Sequence, residues 1–101
     1  VNIPDAKPHE VIETLLHQKH LRIERIISAG QSTAEGQWYD QQQDEWIIVL
    51  QGQARLQLEQ MDKEITLNSG DYLLIPAHCR HRVSWTDPEQ NTLWLALFFT
   101  P

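Results

Sequence analysis

Asn68-Ser69-Gly70-Asp71-Tyr72-Leu73-Leu74-Ile75-Pro76-Ala77-His78-Cys79-Arg80-His81-Arg82-Val83 is the stretch that decides the architecture of this chain. Asn68 to Asp71 reads as a tight turn, because Gly70 takes the positive φ that residues with a Cβ resist. Tyr72 to Ile75 reads as a short strand, and Pro76 ends it, since proline cannot donate to a sheet ladder. The chain then opens into Ala77 to His81 before a second strand begins at Arg82. Two imidazoles, His78 and His81, therefore sit at a strand-loop-strand corner, where a β-barrel aims side chains inward.

Working outward, composition bounds the rest. The 101 residues suffice for one hydrophobic core but not two, and 41% hydrophobic with 22% charged residues is the balance of an ordinary globular domain. Eight basic against fourteen acidic residues give a net charge of −6. Without a Lys/Arg run the electrostatic footprint of a nucleic-acid or anionic-membrane binder is missing. The lone Cys79 has no partner for an internal disulfide, no apolar stretch approaches the ~18 residues of a membrane span, and Val1 to Asp5 lacks signal-peptide character. The expectation is a cytoplasmic address.

Toward the N-terminus, the first eight residues, with Pro4 and Pro8, read as an irregular lead-in. Glu10 to Leu16 fits either a short helix or a β-branched strand; strand is preferred, because Leu21 to Ser28 reads as a strand and His17 to His20 serves as the link. Ala29 to Gln37, with Gly30 and Gly36, is a polar loop, and from Trp38 onward the pattern is β almost without interruption. Glu45 to Leu50 is a strand. Gln51 to Gln53 turns the chain into the alternating Ala54 to Glu59, with Ala54, Leu56 and Leu58 toward the core. A turn near Met61-Asp62-Lys63 leads to Glu64 to Leu67, and Asp87 to Gln90 joins Val83-Ser84-Trp85 to a last strand over Asn91 to Phe99. Short strands spaced by turn signals predict an all-β sandwich or barrel.

Two strands are apolar on both faces. Trp46, Ile48 and Leu50 oppose Ile47 and Val49, while Leu93, Leu95, Leu97 and Phe99 oppose Trp94, Ala96 and Phe98. Such strands need two covers. One is the barrel interior; the other is either the N-terminal strand or a second copy of the chain in a homodimer.

At this point the residues resemble a known family. Glu45, six residues and Gly52 match the end of the first cupin motif; Gly70, five residues, Pro76 and then His81 match the second. The resemblance covers roughly Gly30 to Leu97 and implies the all-β double-stranded β-helix, or jelly-roll barrel. It implies a single domain over 1–101, with 1–29 as lead-in and covering strands and 30–99 as the barrel core. Cupins include dioxygenases, isomerases, epimerases, storage proteins and sugar-binding regulatory domains, so the resemblance leaves the activity open.

Carried over residue by residue, the family's metal site is incomplete here. Six and four residues before Glu45, where the first motif usually has histidines, stand Tyr39 and Gln41. Glu45 and His81 match the remaining ligands, and His78 is an extra imidazole where the family commonly has glycine. If no bulge intervenes, strand parity puts Tyr39, Gln41 and Glu45 on one face. The candidate metal ligands are thus Gln41, Glu45, His81 and His78; a carboxylate, an imidazole and an amide oxygen suit Mn²⁺, Fe²⁺, Ni²⁺ or Zn²⁺ without selecting among them. Trp38, Tyr39 and Trp85 are the candidates for stacking a small organic ligand.

Structural roles stand beside these. Glu45 could pair with Arg25 or Arg82, His81 could be a hydrogen-bonded core histidine, His78 a solvated loop residue, Cys79 inert, and Tyr39 and Trp38 packing groups. No phosphate-binding loop, nucleophile elbow or zinc-type cysteine spacing occurs. Three functions follow as expectations: a divalent-metal cupin with a small organic ligand, a metal-free regulatory module binding a small molecule, and an assembly domain. Metal-free acid-base chemistry with Glu45 or His81 as base and Tyr39 as acid is a further option.

Overall fold

The computed structural model describes residues 5–7, 9–61 and 63–100; the lead-in prolines Pro4 and Pro8 and the turn residue Asp62 lie outside them. The order is β1 (Val11–Gln18), β2 (Leu21–Ser28), β3 (Asp44–Gln51), β4 (Gln53–Leu58), β5 (Glu64–Asn68), β6 (Tyr72–Ile75), β7 (His81–Thr86) and β8 (Thr92–Phe99). They form a five-stranded sheet, β1-β2-β8-β3-β6, and a three-stranded sheet, β5-β4-β7. All pairings are antiparallel. No helix of the described residues is long and apolar enough to cross a membrane.

The inner faces meet as the alternation predicts. Ile47 and Val49 of β3, Ala54 and Leu56 of β4, Leu67 of β5, Ile75 of β6, and Trp94, Ala96 and Phe98 of β8 form one buried cluster. Each fully buried aliphatic side chain in it contributes about 1.5–3 kcal/mol. Leu58, expected in the core, is only partly buried.

Glycines set two of the corners. Gly70 has φ 91°, as its turn requires, and Asp71 Oδ2 accepts from the Asn68 amide to close that turn. Gly52 has φ 94°, and a Cβ there would lie 2.6 Å from Thr92 Oγ1 and 2.7 Å from Thr92 Cα. The β3–β4 turn is thus pressed against β8, and only glycine allows it.

The N-terminal segment is strand, settling the helix-or-strand ambiguity, but it does not cover the outer face of the larger sheet. β2 pairs beside β8, with Ile23 opposite Leu97, and β1 pairs beside β2, so both extend the sheet sideways. Leu95 and Leu97 stay half-buried, and Tyr72 and Leu74 of β6 are 65% and 52% exposed.

A second departure concerns Trp38 to Gln43, which is not strand. The segment instead runs along the free edge of β7. Thr33 N donates to Val83 O at 2.8 Å, and Tyr39 and His81 exchange backbone bonds at 2.7 and 3.1 Å. The stretch pairs by a single bridge rather than as a full strand, yet it protects an otherwise open sheet edge.

Candidate functional site

The five-stranded sheet is wider than its partner, and a cavity of about 130 Å³ lies between them. Ile26, Ile47, Leu56, Ile75, Val83, Trp94 and Phe98 make its apolar walls. Glu10, Ile12, Glu24, Tyr39, Gln41, Glu45 and His81 complete the lining. Tyr39 is 49% and Ile12 57% exposed, so both stand at the rim.

Three of the four expected ligand positions converge here. Glu45 begins the inward-facing set Glu45, Ile47, Val49 of β3 and is paired in register with Ile75. His81 opens β7 and is buried. Its Nε2 lies 3.4 Å from Glu45 Oε1, an ion-pair distance that is long for a hydrogen bond. Gln41 Nε2 donates to the same Glu45 oxygen at 3.2 Å. That bond fixes the amide orientation, because the opposite one would set two oxygens face to face with no proton between them. Gln41 Oε1 is left buried without a hydrogen-bond partner.

The protonation of His81 follows from its neighbours. The Cys79 carbonyl, 2.9 Å from Nδ1, can only accept, so Nδ1 carries hydrogen. Nε2 then either donates to Glu45 as imidazolium or faces the carboxylate as a bare lone pair, and the first is the favourable arrangement. Burial, the largest single influence, pushes the His81 pKa down, but the polar contact with Glu45, the Cys79 carbonyl and the carboxylate's charge together hold it above its ordinary value. The partner of Glu45 is therefore His81 and not an arginine. Arg25 binds Glu13, and Arg82 reaches Gln57 and Thr33.

Of the remaining sequence candidates Tyr39 lines the cavity, whereas His78, Trp38 and Trp85 do not. His78 has φ 61° in the tight loop after Pro76, is solvent-exposed, and points Nδ1 at Asp40 at 2.9 Å. Trp85 is turned away by an irregularity in the β4–β7 register: Leu56 pairs with Val83 but Arg55 with Trp85. The extra residue, Ser84, reverses the parity, and the Trp85 ring lies under the Arg55 guanidinium at 4.6 Å. Trp38 is half-buried and also absent from the lining, whereas Tyr39 is present, its ring centroid 5.7 Å from that of His81. Sequence reasoning missed Glu10, Glu24 and Trp94. Glu24 and Trp94 share the inner face of β2 and β8 with Ile26, an alternation that could have been read; Glu10, before β1, gave no such signal.

Among the described residues no three His, Cys, Asp or Glu side chains group closely enough to hold a metal ion. The donor set does not fit the four-ligand centre that the cupin resemblance implies: the one carboxylate and the one imidazole present face each other at 3.4 Å, and the third donor is a neutral amide.

The same architecture is found in solved structures. A Ralstonia eutropha JMP134 protein assigned provisionally as a mannose-6-phosphate isomerase is 45% identical, with 99% of this chain and 93% of that one covered and a TM-score of 0.95. A cupin superfamily protein from Desulfitobacterium hafniense DCB-2 is 21% identical over 98% and 84% of the two chains, with a TM-score of 0.81. KdgF from Halomonas sp. is 22% identical over 97% and 86%, with a TM-score of 0.75. No curated protein matches the chain. The cupin domain family model matches residues 24–98, from the middle of β2 to the end of β8 and so through both sheets and the cavity between them; the chain belongs to the cupin family.

Proposed function

We propose that this cupin binds a small organic ligand in the cavity between its sheets, without a resident metal, against the Gln41, Glu45 and His81 cluster. The observation that carries this is the mostly apolar cavity of about 130 Å³ onto which Gln41, Glu45 and His81 converge. Such a cavity, apolar with a few convergent polar groups, is the usual form of a small-molecule site. An imidazolium beside a carboxylate can also give and take a proton at neighbouring ligand atoms, as isomerisation requires. The Ralstonia neighbour's provisional name belongs to a reaction of that kind.

A divalent ion is the second reading, favoured by two donors lying 3.2 and 3.4 Å from Glu45 Oε1. To hold it, His81 would shed its Nε2 proton and the Gln41 amide would turn its oxygen inward. Elemental analysis before and after chelator, with Glu45→Ala as control, decides between the readings. Near-stoichiometric metal in the wild type alone supports the second; ligand-induced thermal stabilisation that is unchanged in chelator supports the first.

The outer face of the larger sheet is proposed as a homodimer interface. Trp46, Tyr72 and Leu74 form a continuous apolar surface with Leu95 and Leu97, with the Trp46 and Tyr72 rings 5.6 Å apart, and no described element lies on it. The single free thiol, Cys79, fits a reducing, cytoplasmic compartment.

A further inference from the structure

We propose that His78, outside the cavity, is a positioning residue for the ligand site: by gripping Asp40 it clamps the segment from Trp38 to Gln43 so that Tyr39 and Gln41 face inward. This rests on the reading of the cavity as the ligand site. The segment is not a strand and meets β7 at a single bridge, Tyr39 with His81. Past that bridge His78 supplies two bonds. Its amide donates to Gln41 O at 2.8 Å, and its Nδ1 lies 2.9 Å from Asp40 Oδ1. A carboxylate only accepts, so Nδ1 carries the hydrogen. Tyr39 and Gln41 line the cavity, while Asp40 between them is 49% exposed, the alternation of an extended chain. The loop from Pro76 to His81 thus holds the segment from both sides, with His81 inside and His78 outside.

The backbone shows what this contact costs. Cys79 N donates to Pro76 O at 3.1 Å, closing a four-residue turn with His78 in its third position at φ 61°. A type II turn favours glycine there, and His78 is the one non-glycine residue at positive φ among the described residues. Glycine would relieve the turn and lose the imidazole. An exposed pair adds little to global stability, so its effect falls on the segment that it holds. Gln41 depends on it most, because its Nε2 bond to Glu45, at 3.2 Å, steadies the carboxylate that faces His81.

Three readouts test the clamp: hydrogen exchange of the Tyr39 amide, the Gln41 side-chain NH2 resonances, and cyclohexanol titration followed at the Trp94 indole N–H in the cavity wall. They are compared in the wild type, His78→Gly, Asp40→Ala and Asp40→Asn, which keeps an acceptor for Nδ1. In His78→Gly and Asp40→Ala the Tyr39 amide should exchange about tenfold faster, the Gln41 resonances move toward those of a free amide, and cyclohexanol bind about fivefold more weakly. The urea midpoint of His78→Gly stays at or above that of the wild type, and Asp40→Asn restores all three readouts. Unmoved Tyr39 and Gln41 signals in both broken variants, an Asp40→Asn that behaves as Asp40→Ala, or a His78→Gly midpoint below the wild type with faster exchange at core amides overturns the clamp. Moved signals with an unchanged cyclohexanol affinity overturn the positioning role. A wild type whose Trp94 resonance ignores cyclohexanol counts against the ligand site instead, and the first two readouts still decide the clamp.

Discussion

Replacing Glu45 by glutamine removes the negative charge from the Glu45–His81 pair while keeping the shape of the side chain and an acceptor for Gln41 Nε2. Both partners are buried, at 7% and 4% exposure, so solvent screens the pair little. In the wild type, the His81 pKa is raised, so its contribution to stability is fully present below the unfolded value of about 6.5 and fades as pH rises through the folded value. In Glu45→Gln, burial is left as the dominant influence and the folded pKa falls below about 6.5, so the variant loses stability as pH drops through that value. The two effects act in the same direction, and the gap between the proteins widens toward acid. Loss of one charge-assisted contact sets its size: about 2–3 kcal/mol near pH 5.5, shrinking to about 1 kcal/mol once the pH exceeds the folded value of His81 and the imidazole is neutral in both. For a domain of this length, that is a fall in Tm of roughly 10–20 °C at the lower pH and about 5 °C at the higher. Urea unfolding at the two pH values, together with an NMR titration of the His81 ring, measures both halves. A gap that is the same at both pH values, or a His81 pKa in the variant at or above that of the wild type, would refute the assignment of a proton shared between these side chains.

Other substitutions probe the frame around the pair. Gly52→Ala forces a Cβ onto the Thr92 backbone at positive φ and should cost at least about 2 kcal/mol, whereas Gly70→Ala, with nothing within 4 Å, should cost about 1 kcal/mol; denaturant midpoints rank them. Leu97→Lys, on the outer face, should convert a dimer to a folded monomer in light scattering, and an unchanged mass would remove that interface. Trp85→Ala should leave ligand-induced stabilisation within about twofold of wild type, since its ring packs on Arg55 outside the cavity. Cys79→Ala should leave the His81 titration unmoved, because the backbone carbonyl of residue 79 and not its thiol binds the imidazole.

Much of this molecule was legible in its residues, for reasons that are local. Alternation at Glu45, Ile47 and Val49 marked the inward face of β3, because successive side chains of a strand point to opposite sides. Gly70 and Pro76 bounded β6, since one supplies a positive φ and the other ends a ladder. Glu45 and His81 could be matched to the cupin motifs by spacing alone, and the cavity brings them together. Trp85 was misplaced because a single extra residue in β7 reverses parity, and nothing in Val83-Ser84-Trp85-Thr86 announces a bulge. The N-terminal strands were expected as a possible cover, but whether a strand lies on a sheet or beside it depends on which edge offers unpaired backbone groups, and here the free edge of β8 captured β2.

The sequence by itself therefore determined the strands, their turns, the inward parity of β3 and the loss of two expected histidines at Tyr39 and Gln41. Those are consequences of backbone stereochemistry and of side-chain period, which act over a few residues. Only the tertiary structure decided that Glu45 pairs with His81 rather than with an arginine, that His78 turns to Asp40, and that Glu10 and Glu24 join the same cavity. Each of those outcomes depends on which distant segments share an interior, and a charge inside a protein takes its partner from three-dimensional proximity and not from spacing along the chain.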